Sequence, residues 1–489
     1  MAVQWTNSVP GLLRLDRDSP VPLRSQLEQA LRSSIQAGRL QSGDLLPPSR
    51  RMAAELGVSR GLVVDCYAQL AAEGYLASRV GSATRVAIDA RPVPTAPYPM
   101  ASAPSLQAPS LQVPSLQAPS LRAPSLQAPS LQIEFRPGVP DLSSFPRRDW
   151  LWAQGEACRT APKDDLTYGD PRGSAVLRHV LASYLRRVRG AVAEPGQMVI
   201  CAGFAQGLTL ILRTLAAEQI RRVAVEEPGP TYREIVTGRA QVEAIPIPVD
   251  ERGINVDALA DTGARAVVVT PAHQAPTGAV MAPERRHALL AWARRHDAIV
   301  IEDDYDSEFR YDREPIGTLQ GLAPDRVALL GSVSKSLAPA LRLGWIVCPP
   351  QLAGPLAHGK HYDDRGCPAL DQLALAALLE SGRFDRHLRR MRTVYSARRD
   401  TLLRALGTHA PNTRITGLAA GFHAAASLPE HIDEQTVTST ARTRSVGLHG
   451  MSAYRFDGAT TPPRLVLGFG NLTERAIEQG IAAVGDLLR

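Results

Sequence analysis

One side chain stands out for the chemistry it permits. Lys335 lies in GSVSKSLAPALRLGW, residues 331–345, and lysine occurs elsewhere only at Lys163 and Lys360, although lysine and arginine together number 55. A lysine kept amid such arginine bias points to a task that arginine cannot perform. An amine condenses with an aldehyde such as that of pyridoxal 5'-phosphate (PLP), and an always-charged guanidinium does not. Ser332 and Ser334 flank Lys335, and Arg342 follows seven residues on. Hydroxyls and a guanidinium beside a reactive amine suit a phosphate tail. A surface lysine in a Ser-rich turn would look the same locally, so distant residues must decide.

Three further stretches bear on that choice. Asp303 and Tyr305 follow the apolar run AIVI. A carboxylate at that place can pair with the pyridinium nitrogen of PLP, and a phenol two residues on can bond the ring hydroxyl. Asp304 and Asp306 make the same stretch an acidic cluster, the kind that also binds metals. That reading is set aside because no histidine lies within several residues. Upstream, CAGFAQGLTLILRTL opens an apolar helix on a glycine turn, where the N–H groups of Gly203, Phe204 and Ala205 are placed to hold a phosphate.

These residues need elements to position them. From about Ile133 onward, short apolar strands alternate with helical patterns, which predicts an α/β domain with helices on the faces of its sheet. RAVVV, AIVI and RVALL each run into a polar or Gly-rich turn, and ligands of such sheets bind beyond the carboxyl ends of the strands. The first 88 residues read differently. Leu23, Leu27, Leu31 and Ile35 mark an amphipathic helix ending near Gly38. Ser49 is the expected N-cap of a short helix SRRMAAEL, broken by Gly57. Ser59 caps a third helix to about Glu73, with Val63, Tyr67 and Leu70 inside and Ser59, Arg60 and Gly61 at an exposed start. Two short strands around Gly81-Ser82 complete a winged helix-turn-helix, whose third helix reaches base edges through its N-terminal residues.

Between the two regions lie six pentads of the type APSLQ, residues 103–132, after a proline-rich RPVPTAPYPM. A proline every fifth residue blocks helix and ladder alike, and one leucine per pentad buries too little to offset ordering. The segment reads as a semi-extended spacer, so the division is 1–88, 89–132 and 133–489. The net charge of +7 permits a nucleic-acid partner without requiring one. Residues 1–88 hold ten Arg against seven Asp and Glu, a mild excess that predicts modest, salt-sensitive non-specific binding. Five scattered cysteines without a C-x-x-C pair, no signal pattern and no long apolar run predict a reducing cytoplasm and no membrane.

Taken together the motifs carry a family resemblance. Residues 22–86, with GRLQSGDLLPPSRRMAAELGVSR and YAQLAAEGYLASRVGSATRV, resemble the GntR family of bacterial repressors. The resemblance implies operator DNA as partner, contacted by Arg50, Ser59 and Arg60, with the wing at Arg79–Gly81 along the minor groove. Gly61-Leu62 departs from the two hydroxyl residues often found there. The succession TYGDPRGSAVLR, AGFAQGL, EEPGPTY, TPAHQAPTG, EDDYDSEFRY and SVSKSLAPALRLGW resembles fold-type I aminotransferases, with a mostly parallel sheet. The two together look like the MocR subfamily of GntR regulators. The resemblance implies Lys335 as Schiff-base lysine, Asp303 on the ring nitrogen and Tyr305 on the ring hydroxyl. Ser332, Ser334, Arg342 and the Gly203–Ala205 turn would hold the phosphate, and the domain would form a head-to-tail homodimer.

Three departures from working aminotransferases weigh on function. Ala275 stands where their N-P-T-G turn supplies an asparagine. Pro230 stands where the ring-stacking aromatic usually follows P-G, leaving Tyr232 as the nearest substitute. In RLVLGFGN the carboxylate-gripping arginine is replaced by Val466, and Arg464, two residues earlier on the same strand face, is the candidate effector-binding cation. The expected function is a regulator sensing PLP or a small amine that reacts with it. The alternative is an aminotransferase with an accessory DNA-binding domain.

Overall fold

A computed structural model describes residues 13, 15–19, 22–77, 83–87, 132–230, 232, 234–311 and 316–489. In the N-terminal module α1 (Leu23–Gln36) buries Leu27, Leu31 and Ile35. Helix α2 (Ser49–Leu56) covers SRRMAAEL, but its cap differs from expectation. Pro48, with ψ near 145°, holds the N-cap position, so Ser49 is already helical and its hydroxyl caps nothing. Gly57 turns the chain at φ 64°, a conformation that costs glycine little. Ser59 then caps α3 (Arg60–Glu73), accepting the Leu62 N–H at 3.2 Å. Val63, Tyr67 and Leu70 are buried beneath it. Strands β1 (Leu76–Ala77) and β2 (Arg85–Val86) pair antiparallel as the wing. The wing tip with Arg79 and Gly81, and nearly all of the pentad segment, lie outside the described residues.

The larger part begins with β3 (Ile133–Glu134), α4 (Arg147–Thr160), α5 (Ala175–Arg189), β4 (Met198–Cys201) and α6 (Phe204–Ala217). Next come β5 (Arg222–Glu227), β6 (Glu243–Asp250), β7 (Gly253–Ile254), β8 (Ala266–Val269), α7 (Pro283–Arg295) and β9 (Ile299–Asp304). They are followed by β10 (Val327–Ser332), β11 (Gly344–Val347), α8 (Pro350–Asp363), α9 (Ala369–Glu380) and the long α10 (Arg383–His409). Eight strands form one sheet in the order β4-β11-β10-β9-β8-β5-β6-β7. The central pairs from β10 to β6 are parallel; β11 and β7 run against them, and the edge strand β4, antiparallel to β11, points the same way as the central strands. Strand β14 (Val446–Gly447) pairs in parallel with β3, and a second, antiparallel sheet joins β12 (Arg414–Thr416), β13 (His423–Ser427), β16 (Arg464–Gly468) and β15 (His449–Gly450) in that order. Among the described residues no helix is long and apolar enough to cross a membrane.

Side-chain alternation along the sheet decides which helices cover which face. Ile299 and Ile301 of β9 pack with Leu208 and Ile211 of α6 on one side. Val300 of the same strand packs with Leu289 and Trp292 of α7 on the other. That second core continues into the N-terminal module through Leu27, Leu31 and Tyr75. Polar contacts reinforce the seam. Gln36 donates to the carbonyls of Gly190 at 3.0 Å and Gly321 at 3.3 Å, and His287 on α7 meets the Gly74 carbonyl at 2.8 Å. The buried Arg32 binds Glu73 with two 2.7 Å bonds beside Gly317.

Candidate cofactor site and DNA-reading face

Lys335 follows the carboxyl end of β10 and lines a cavity of about 370 Å³. Of the three lysines it is the one in that cavity: Lys163 is exposed, and Lys360 is buried against Asp364. Its Nζ donates to the Gly138 carbonyl at 2.6 Å. Burial pulls its pKa below the ordinary lysine value, with Asp303 and Asp306 offsetting part of that shift. A larger share of neutral, nucleophilic amine follows.

Asp303 reaches the cavity from β9, 7% exposed, and accepts a short bond from the Tyr232 hydroxyl. Burial, with a smaller push from the neighbouring Asp304, raises its carboxyl to about 8 against the Tyr232 hydrogen bond and the charge of Lys335. A carboxyl held this high is short of a cation, which a pyridinium nitrogen would supply. Glu302 and Asp304, on either side along β9, point to the opposite face. Glu302 accepts the N–H groups of Leu319 and Gln320, both at 3.0 Å, and Asp304 takes two 2.8 Å bonds from Arg189.

At the far end of the cavity α6 starts on Gly203, at φ 84° and with no side-chain cap. A Cβ there would stand 3.0 Å from the Arg342 guanidinium. Arg342 bonds the Ala202 carbonyl, and Phe204, Ala205, Ser332 and Ser334 line the same end. Uncapped helix N–H groups, two hydroxyls and a guanidinium make a cradle whose chemistry fits a phosphate. Amine, buried carboxyl and cradle therefore fit PLP along one cavity.

Tyr305 also lines the cavity, with its hydroxyl donating to the His273 carbonyl at 2.9 Å. The predicted cation on β16 behaves differently. Val466 lines the cavity and Arg464 does not. Two residues along a strand are roughly 6.6 Å, so a shared face does not mean a shared contact. The Arg464 Nε is buried without a partner among the described residues, away from the pocket.

Two histidines were not anticipated. His273 Nδ1 lies 2.8 Å from Asp306, and its Nε2 lies 3.2 Å from the Gly417 carbonyl. Burial lowers its pKa, but Asp306 more than offsets this and the net shift is upward. His423, on β13, packs against the His273 ring at a centroid distance of 4.7 Å. Its pKa is driven well down by burial and by His273. The sequence distance that argued against histidine near Asp306 is therefore bridged by the fold. Both nitrogens of His273 are engaged, which makes the pair a buried ion pair rather than an open ligand set. A usable signal was present in H-Q-A-P-T-G, since that turn follows a strand whose end faces the cavity.

On the N-terminal module, Arg50, Ser59 and Arg60 are all exposed, on the start of α2 and at the start of α3. The seam with the larger domain uses the opposite side, at Glu73, Gly74 and Tyr75. The N-terminal end of α3 thus stays exposed while the module is docked.

An uncapped phosphate cradle behind a buried lysine, joined to a winged helix, defines a regulator class in which an aminotransferase-like domain is coupled to DNA binding. The comparisons agree. Residues 140–481 match the family model "Aminotransferase class I and II", and residues 23–86 match "Bacterial regulatory proteins, gntR family". The chain is 35% identical over 477 residues to the HTH-type pyridoxine biosynthesis transcriptional regulator PdxR of Corynebacterium glutamicum, covering 97% of this chain and 98% of that protein. It is 34% identical over 478 residues to the probable rhizopine catabolism regulatory protein MocR of Rhizobium meliloti, covering 96% and 94%. Among solved structures, an archaeal alanine:glyoxylate aminotransferase superposes with a TM-score of 0.66 at 26% identity, covering 73% of this chain and 90% of that one. The chain belongs to the MocR subfamily of GntR transcriptional regulators.

Proposed function

We propose that this regulator holds PLP on Lys335 and changes its hold on operator DNA according to PLP itself or an amine that reacts with it. The division into residues 1–88 for DNA, 89–132 as spacer and 133–489 as effector domain belongs to the same reading. When bound, PLP supplies an aldehyde for the lysine and an electron-withdrawing ring. The chain's own residues do the rest. Lys335 offers its amine, Asp303 sets the charge at the ring nitrogen, Tyr305 serves the ring hydroxyl, Tyr232 stands in for the stacking aromatic, and Ser332, Ser334, Arg342 and residues 203–205 hold the phosphate. On the DNA side Arg60 reads a base edge, Arg50 and Ser59 contact the backbone, and Arg79 with Gly81 belongs to the wing at the minor groove. The observation that carries the reading is Lys335 inside the cavity, on a chain whose α3 start remains exposed.

Sensing rather than turnover is favoured by the wall of the pocket. A carboxylate moved out of water needs a fixed cation, and Val466 offers none where catalysts carry arginine. Ala275 likewise brings no amide to the ring hydroxyl. Ligand binding acts as a switch only if one arrangement of the two domains binds it better than another. The roles of the relatives, pyridoxine biosynthesis and rhizopine catabolism, make vitamin B6 synthesis or amine metabolism the expected target genes. A cytoplasmic head-to-tail homodimer completes the proposal. The test is footprinting of the upstream DNA with PLP and a panel of amines, alongside transamination assays. Ligand-dependent protection is expected. Rapid multiple-turnover transamination, with protection unmoved by any ligand, would return the protein to the enzymes.

A further inference from the structure

A second cavity, of about 540 Å³, opens between the start of α4 and the second turn of α10. Arg147, Arg148, Arg386 and Arg390 line it, and all four are exposed. Among the described residues none of them forms a salt bridge, and Arg390 makes one 2.9 Å bond to the Ser144 carbonyl. The one carboxylate in the lining, Asp149, is taken by Arg383. Helix α4 begins on Pro146 with no side-chain cap, so its first N–H groups add to the positive field. At the floor is His387, 8% exposed. Its Nε2 meets the Ser336 carbonyl at 2.9 Å, and its Nδ1 is buried with no partner among the described residues.

We propose that this cavity is a second phosphate site, separate from the cradle at Arg342, which takes the phosphomonoester of a small molecule. The guanidiniums supply forked donors for the oxygens. His387 selects the kind of phosphate. A carbonyl cannot donate, so Nε2 carries the proton toward Ser336 and leaves Nδ1 as an acceptor. A phosphomonoester, with its second ionisation near neutral pH, can share a proton with that nitrogen. A diester such as a DNA backbone has none to share. Ser336 follows Lys335 directly, so an occupant that moves the His387 ring is felt beside the cofactor lysine.

The test uses full-length protein carrying PLP, with unbound PLP removed by gel filtration, and inorganic phosphate as probe, with dimethyl phosphate and a short non-operator duplex as controls. One phosphate should bind beyond the cofactor, and dimethyl phosphate should bind at least tenfold more weakly. The double variant Arg148→Ala, Arg386→Ala alters two exposed side chains, and should lose at least tenfold in phosphate affinity while keeping the visible cofactor band. In the parent protein phosphate should also perturb that band. Equal phosphate binding by parent and variant would overturn the site. So would a variant that loses affinity for the duplex and not for phosphate, which would make the cavity a DNA-backbone contact. Absence of the cofactor band in the parent would instead count against the PLP reading, with phosphate binding still measured on its own.

Discussion

The start of α3 and the start of α6 meet opposite conditions. At α3, Ser59 satisfies the Leu62 N–H, and the neighbouring cations Arg50 and Arg60 stand in water. At α6, Gly203 leaves the helix end uncapped, the Arg342 guanidinium closes over it, and the adjoining carboxyl of Asp303 is buried. One end has a side-chain cap on one of its helix N–H groups and leaves its cations in water, as a long, hydrated partner would require. The other leaves its N–H groups without a side-chain cap, as a small anionic ligand would require. Exposed charges are screened within about 8–10 Å at ordinary salt, and buried ones much less. The DNA face should therefore be the salt-sensitive end of the molecule, and the cofactor cavity the pH-sensitive one.

The sharpest way to break this contrast is at the buried end. Lys335→Ala should abolish the visible band of the cofactor-bound protein completely, since Lys163 and Lys360 lie outside the cavity. A retained band would move the attachment to another lysine. Asp303→Asn comes next. Folded, the Asp303 carboxyl keeps its proton up to about pH 8, against 3.8 for an ordinary aspartate. Between those values the unfolded chain is ionised and the folded one is not, so stability without cofactor falls as pH rises through the window. Asp303→Asn should remove that penalty, worth up to about 4 kcal/mol at pH 7, while weakening cofactor binding. Urea unfolding of the cofactor-free protein at pH 5 and pH 8 reads both the magnitude and the sign.

At the exposed end effects should be smaller and dependent on sequence or salt. Arg60→Ala should cost about 1–3 kcal/mol on the operator and less on random duplex, as expected for a base contact. Arg50→Ala should weaken both more evenly and flatten the salt dependence. Equal losses on operator and random DNA for Arg60→Ala would remove its reading role. Smallest of all, Ser59→Ala should cost about 1 kcal/mol of stability in the N-terminal module through the lost cap. Thermal unfolding checks this, with no change expected in the visible band.

The two ends also differ in how far their sequence discloses them. Helix α2 was legible as SRRMAAEL, and the cap of α3 as Ser59, because helix periods and caps are encoded within a few residues. The slip at Ser49 is of one residue, set by the extended backbone of Pro48. Lys335, Asp303 and the Gly203 turn were legible because each ends a recognisable strand or opens a helix. The pairing of His273 with Asp306 and His423 was not, since the three come from β-strand ends and loops up to 150 positions apart, and only the closed fold sums those distances. Alternation on β16 placed Arg464 and Val466 on one face, but which of them reaches the cavity depends on where the strand stops, which pattern alone does not encode.

Strand β9 has a consequence for anyone recombining these proteins. Its three successive acids divide by parity: Asp303 serves the cavity, while Glu302 and Asp304 hold the 319–320 turn and Arg189, next to the carbonyls of Gly190 and Gly321 on which the N-terminal module rests. A substitution here disturbs one client. A single-residue deletion among 299–301 would exchange all of them, turning two carboxylates into the cavity and leaving one beneath the docked module. Crossovers between relatives through β9 are thus tolerated only in register.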